Sequence, residues 1–136
     1  MKCLLLACLL AACAHDDERP ETLAYVTEAI LAPNCGTANC HSTWKHEEDD
    51  VFDTVAGALA AMQNKNRLLL ACQHGQIVLD PCDDARETYL YAVIDGSDRF
   101  GNRMPLDQPL ANKDIKFISE WIDSGADGYV SLVGSN

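Results

Sequence analysis

Positive charge is scarce in this chain: ten Lys and Arg stand against 21 Asp and Glu, for a formal charge of −11. Without a basic stripe there is nothing to grip a phosphate backbone, so nucleic acid is excluded as a partner. The chain holds no C-x-x-C, the commonest paired-cysteine zinc pattern, so a zinc site is the weaker reading of its cysteines. No internal repeat is present, and glycine (8) and proline (5) are at ordinary levels, so solenoid, collagen-like and low-complexity architectures are excluded. The one conspicuous apolar run lies at the N-terminus and is too short to span a bilayer, which takes ~20 residues. A chain of 136 residues then suits one compact domain.

What is present begins with "MKCLLLACLLAAC". Lys2 supplies a positive start and Leu4 to Ala12 a short apolar core, the pattern of a secretory signal. The end of this run, Leu10-Ala11-Ala12-Cys13, resembles a bacterial lipobox, which implies cleavage before Cys13 and lipidation of its thiol. The plainer alternative is an ordinary signal cut near Ala14. Losing Lys2 with a leader of residues 1–12 takes the formal charge to −12. Cysteine parity fits lipidation. Of seven cysteines, Cys3 and Cys8 leave with the leader and Cys13 takes the lipid. Cys35, Cys40, Cys72 and Cys82 remain, an even set in an oxidising compartment. Ala14 after the lipid cysteine points to the outer membrane, facing the periplasm. The organisation expected is a signal peptide over 1–12, a lipidated Cys13 with an exposed charged tether over 13–21, and one domain over 22–136.

The domain reads as mainly α. Thr22 can cap a first helix that buries Leu23, Val26, Ala29 and Ile30 and is stopped by Pro33. "KHEEDD", residues 45–50, reads as a solvated loop. A second helix is expected from about Asp53 to Asn64, with Val55, Ala58, Leu59 and Met62 inward. "RLLLACQHGQIVLDPC", residues 67–82, reads as a small hairpin around "QHG". Its second arm is bracketed by Cys72 and Cys82, and a disulfide there would contribute about 2–3 kcal/mol. A third helix over about Ala85 to Ile94 turns Tyr89, Leu90 and Val93 inward and ends near Gly96. The last begins near Asn112, stripes Ile115, Ile118, Trp121 and Ile122 on one face, and ends where Gly125 can cap it.

The chemistry concentrates in "CGTANCH", residues 35–41. Two cysteines followed at once by a histidine are the parts of a covalent haem attachment, whose usual run is C-x-x-C-H. Here the spacer has four residues, so two must bulge outward, and Gly36 and Asn39 tolerate unusual backbone angles. A plain Cys35–Cys40 disulfide with a surface His41 reads the same run without any cofactor. A catalytic thiol is disfavoured by export. Met104 bears on the choice. It sits in the polar, proline-flanked loop "GNRMPLDQPL", where a core methionine is out of place, and Met with His is a common axial pair in electron-transfer cytochromes. His46 and His74 read as solvated loop histidines. Trp44 reads as packing on a haem edge or in the core, and Arg103 as an exposed arginine or a propionate partner.

"YLYAVIDGSDRFGNRMPLDQPLANKDIKFISEWIDSGA", residues 89–126, with its R-M-P loop at Arg103-Met104-Pro105 and its W-I-x-x-G-A end at Trp121 to Ala126, resembles the C-terminal part of small exported bacterial c-type cytochrome domains. "AILAPNC", residues 29–35, resembles the lead-in to their haem run. The likeness spans about 22–127. It implies a cytochrome c-like fold of three to four helices with the hairpin as an insertion. One covalent haem c would be held by thioethers from Cys35 and Cys40 and ligated by His41 and Met104. The activity implied is electron transfer on the periplasmic side of the envelope, not enzymatic turnover. The partners implied are redox proteins, basic ones suiting the acidic surface, and the membrane through the lipid. A five-coordinate iron serving a peroxidase or gas-binding role, and a haem-free module cross-linked by two disulfides, are the alternatives.

Overall fold

A computed structural model of the protein describes residues 18–64, 85–97 and 103–129. The expected leader, Cys13 and the hairpin expected over 67–82, with Cys72, His74 and Cys82, lie outside them. The described residues are mainly helical and contain no strand. Four helices carry the fold: α1 over residues 23–34, α2 Val55–Asn64, α3 Tyr89–Asp95 and α4 Asn112–Asp123.

Helix α1 opens as expected. The Thr22 hydroxyl accepts from the Tyr25 N–H at 3.2 Å, which satisfies one of the donors a helix start leaves unpaired. Leu23, Val26 and Ile30 are buried, but Ala29 is exposed, and Thr27 and Leu31 take the inward places. The reason is a change of pitch. Val26–Leu31 is a π-helical segment between two short α-turns, Leu23–Tyr25 and Ala32–Asn34. The Ala32 N–H reaches back five residues to the Thr27 carbonyl. A wider turn rotates each later residue away from its α-helical position. Pro33 lies inside the last turn rather than beyond it, and the Asn34 side chain donates to the Ile30 carbonyl at 2.7 Å to close the end.

Helix α4 is the centre of the core. Phe117, Ile118, Trp121 and Ile122 are all at most 1 % exposed, while Ile115 is half-buried against them. Its C-terminus is a Schellman cap: the Ala126 N–H donates to the Trp121 carbonyl at 2.8 Å and the Gly125 N–H to Ile122 at 3.0 Å. Gly125 has a φ of +108° there, a backbone angle that favours glycine. The Asp127 carbonyl then accepts two donors, the Leu23 N–H at 2.8 Å and Trp121 Nε1 at 3.1 Å. One peptide oxygen therefore ties the start of α1 to the end of α4. Tyr25 and Phe117 meet edge to face with centroids 5.5 Å apart.

The other two helices fill in around this pair. In α2, Met62 (1 % exposed) and Ala58 are core, while Val55 and Leu59 pack half-buried against it. The expected third helix is split. Ala85–Glu87 is a 3₁₀ turn, and α3 begins after Thr88, whose hydroxyl donates to the Ala85 carbonyl and accepts from the Tyr91 N–H. Gly96, at φ +76°, caps its end.

Candidate functional site

The loop that leaves α1 closes on itself. The Cys35 and Gly36 N–H groups both donate to the Leu31 carbonyl, at 2.6 and 2.9 Å. The Cys40 N–H donates to Thr37 at 2.9 Å, and the His41 N–H returns to the Cys35 carbonyl at 3.0 Å. Cys35 and His41 are thus brought backbone to backbone, and the spacer residues Thr37, Ala38 and Asn39 are exposed. The bulge does not use unusual angles at Gly36 or Asn39, neither of which has positive φ. Gly36 is needed for space instead. A Cβ there would lie 2.7 Å from the Asp53 nitrogen and 2.9 Å from the Phe52 carbonyl carbon. Backbone passes directly against backbone, and a bond from the Phe52 N–H to the His41 carbonyl at 2.7 Å fixes the approach.

Cys35 and Cys40 are free thiols in different settings. Cys35 is half-buried against the hydrophobic core, and Cys40 is exposed. Burial, with Cys40 adding to it, pushes the Cys35 thiol up to about 12. It therefore stays S–H at neutral pH, which removes it as a thiolate nucleophile.

His41 is half-buried, and its ring stands edge to face on Phe52 with centroids 5.4 Å apart. Its Nδ1 lies 2.9 Å from the Glu47 carbonyl oxygen. A carbonyl can only accept, so Nδ1 must carry the proton, and Nε2 is left with the lone pair. This is the arrangement found around metal-bound histidines, where the second ring nitrogen is held by a carbonyl or carboxylate. The turn that presents the Glu47 carbonyl is tight: His46, Glu48 and Asp49 all have positive φ, between 52° and 59°. Lys45 and Glu47 pair across it at 3.4 Å, and His46 Nε2 meets the Thr43 carbonyl. His46 is exposed, as expected.

Asp53 braces the same segment from the other side. One carboxylate oxygen accepts from both the Thr43 N–H and the Thr43 hydroxyl, each at 2.8 Å. These bonds hold its carboxyl below the usual range, the backbone one contributing most. The sequence held no signal for Glu47 or Asp53. The acidic run reads as a solvated face, and a main-chain carbonyl has no residue signature.

Met104 arrives from a different element. It is half-buried against the same core as Cys35. Its N–H donates at 2.7 Å to the Val93 carbonyl, one of the acceptors that the end of α3 leaves unpaired. The Met104–Pro105 peptide is cis. Arg103 is half-buried, not exposed, with its aliphatic stem over Gly96. Trp44 departs furthest from expectation. At 88 % exposed it belongs to no core, because the turn that carries it is held by backbone bonds rather than by apolar burial.

Among the described residues no group of three or more His, Cys, Asp and Glu side chains is placed to hold a metal ion. A shallow groove of about 470 Å³ lies between α3 and α4, lined by Arg86, Tyr91, Asp95, Asn112, Lys116 and Glu120 among others, and none of the expected site residues reaches it. No protein-family model, characterised protein or solved structure matches this chain.

Proposed function

We propose that the chain is a monohaem c-type cytochrome that carries electrons at the periplasmic face of a bacterial envelope. The observation that carries the reading is the His41 Nδ1–Glu47 carbonyl bond at 2.9 Å, which presents Nε2 as a ligand. Beside it in the sequence, Cys35 and Cys40 are thiols available for thioethers, and Met104, half-buried against the core that Cys35 also borders, offers a soft sulfur. A covalent haem would be held by thioethers from Cys35 and Cys40, with His41 and Met104 as its iron ligands. Such a haem supplies one-electron exchange between ferrous and ferric iron.

The chain's own contribution is positional. Glu47 keeps the His41 tautomer and ring orientation, and Phe52 limits the tilt of the ring. With His41 and Met104 both given to the iron, no substrate would need to reach it, which suits a carrier rather than an enzyme. His/Met ligation raises the reduction potential. The formal charge of −11 and the acidic turn beside His41 favour a basic redox partner, through faster encounter more than tighter binding. Cys13 would hold the protein to the membrane.

The test is a reduced-minus-oxidised visible spectrum of the chain made with c-type maturation, with a denaturing gel stained for haem. A sharp reduced α-band, and colour that stays on the denatured chain, is the expected result. Replacing Met104 with Ala should then lower the potential and open a position for carbon monoxide. If the unaltered protein already takes carbon monoxide at that position, the five-coordinate reading replaces this one. A colourless protein with two disulfides overturns both and leaves the haem-free module.

A further inference from the structure

The segment expected to be a free tether is not free at Arg19. Glu18, Pro20 and Glu21 are exposed, but the Arg19 guanidinium is anchored on α4, 95 residues away in sequence. One nitrogen donates to Asp114 at 2.7 Å and another to the Lys113 carbonyl at 3.0 Å. The guanidinium carbon lies 4.2 Å from the centroid of the Phe117 ring. An ion pair, a main-chain acceptor and an aromatic face together use the fork and the plane of arginine, which a lysine could not do.

The position of this grip matters. Asp114 is in the first turn of α4, whereas Leu23, four residues after Arg19, is bonded to Asp127 just past the last turn. Residues 19–23 therefore run along α4, a 12-residue helix about 18 Å long. Without the grip, the chain would leave the domain at the C-terminal end of α4. With it, the chain leaves at the N-terminal end. Cys13 is six residues before Arg19, at most about 21 Å fully extended.

We infer that Arg19 is a clamp that sets which face of the domain meets the membrane, and that this face is the pole at the N-terminal end of α4; the inference rests on the lipid-anchor reading of Cys13. The chemistry of the pole fits a phospholipid surface. Lys113 is exposed there and can meet headgroup phosphates. Leu106, 67 % exposed, lies in the loop that leads into α4 and can enter the interfacial layer. The Arg19–Asp114 pair neutralises an acid at the same place. The pair leaves the formal charge of −12 unchanged but lowers the local repulsion from anionic lipid at this pole.

The test uses the acylated mature protein, from Cys13 onward, on vesicles of phosphatidylethanolamine and phosphatidylglycerol. Hydrogen exchange over residues 103–116 is compared with the same protein in a neutral detergent. Exchange there should slow roughly fivefold on vesicles, the size expected of a clamp made from one ion pair and one cation–π contact. Arg19→Ala should abolish the slowing while the protein stays vesicle-bound, and Asp114→Asn should do the same from the other partner should the first variant fold poorly. Slowing that is unchanged in both variants overturns the clamp. Mature protein whose mass shows no acyl group on Cys13 overturns the anchor reading and with it the orientation, a failure that the mass measurement separates from that of the clamp.

Discussion

Two regions of this molecule are built on opposite principles. Where α1 meets α4, the work is done by apolar burial: Val26, Ile30, Phe117, Ile118, Trp121 and Ile122 are each at most 2 % exposed. The hydrogen bonds there cap ends. In the segment from Cys35 to Asp53 the proportion is reversed. Only Ser42 and Phe52 are buried, and the chain is held by main-chain and carboxylate bonds through a turn with three non-glycine residues at positive φ. The first region tolerates no lost volume. The second should tolerate lost volume but not a lost bond or a blocked backbone approach. A loop organised by polar bonds can fix a histidine tautomer, which a greasy core cannot do. It is also the part of the fold most open to pH.

The largest effect should come from the first region. Truncating Trp121 to Ala removes the largest fully buried side chain together with the indole bond to Asp127. Large-to-small changes of this kind cost about 3–5 kcal/mol, depending on how far the cavity collapses. Denaturant unfolding should show a loss in that range, enough to unfold much of a marginal domain. A loss under ~1 kcal/mol, far below the usual range for such sites, would mean that the α1–α4 contact is not the core and that the comparison is drawn in the wrong place.

Gly36→Ala tests the second region by blocking an approach while removing nothing. The added methyl would sit under 3.0 Å from three backbone atoms of Phe52 and Asp53, none of which can swing aside as a side-chain end could. Overpacking typically costs ~1–3 kcal/mol. Here the cost should fall locally, because the strand of contacts through the Phe52 N–H and the His41 carbonyl must open to make room. The expected signature is a moderate drop in unfolding midpoint with a large change in the His41 and Phe52 ring resonances, while α4 signals stay in place. Shifts spread evenly over α4 would show that the two regions are one cooperative unit.

This contrast also explains what could be read in advance. The stripe Ile118, Trp121, Ile122, the Thr22 cap, the Gly96 and Gly125 ends and the core position of Met62 follow from side-chain period and cap chemistry, which are local. Phe117 lies at the edge of that stripe and is buried beyond it, and Ala29 turns outward because a π segment shifts the period within a single turn. In the Cys35–His41 run the residue types were legible, and so was the need for a bulge. The reason for Gly36 was not, since it depends on a backbone 16 residues further on. Glu47 contributes a carbonyl and Arg19 a contact with Asp114 at a sequence separation of 95, neither of which leaves any periodic trace.

The smallest effect, and the sharpest discriminator, belongs to Asp53. Its carboxyl is held below the ordinary value by the Thr43 N–H and hydroxyl, so the folded state favours the ionised form. The stabilisation is therefore fully present above the unfolded carboxyl pKa of about 4 and is lost as pH falls through the lower folded value. Between those limits the Thr43 tether should loosen, and with it the turn that holds Glu47 against His41. Thr43 amide exchange, followed from neutral to acid pH, should speed up in that window while the amides of Trp121 and Ile122 do not. Asp53→Asn keeps the shape but weakens the charged acceptor, so Thr43 should exchange faster at neutral pH and show little further acid response. If the unaltered protein instead loosens at Thr43 and Trp121 together, acid acts on the whole domain, and polar bonds are not what sets the Cys35–Asp53 segment apart from the core.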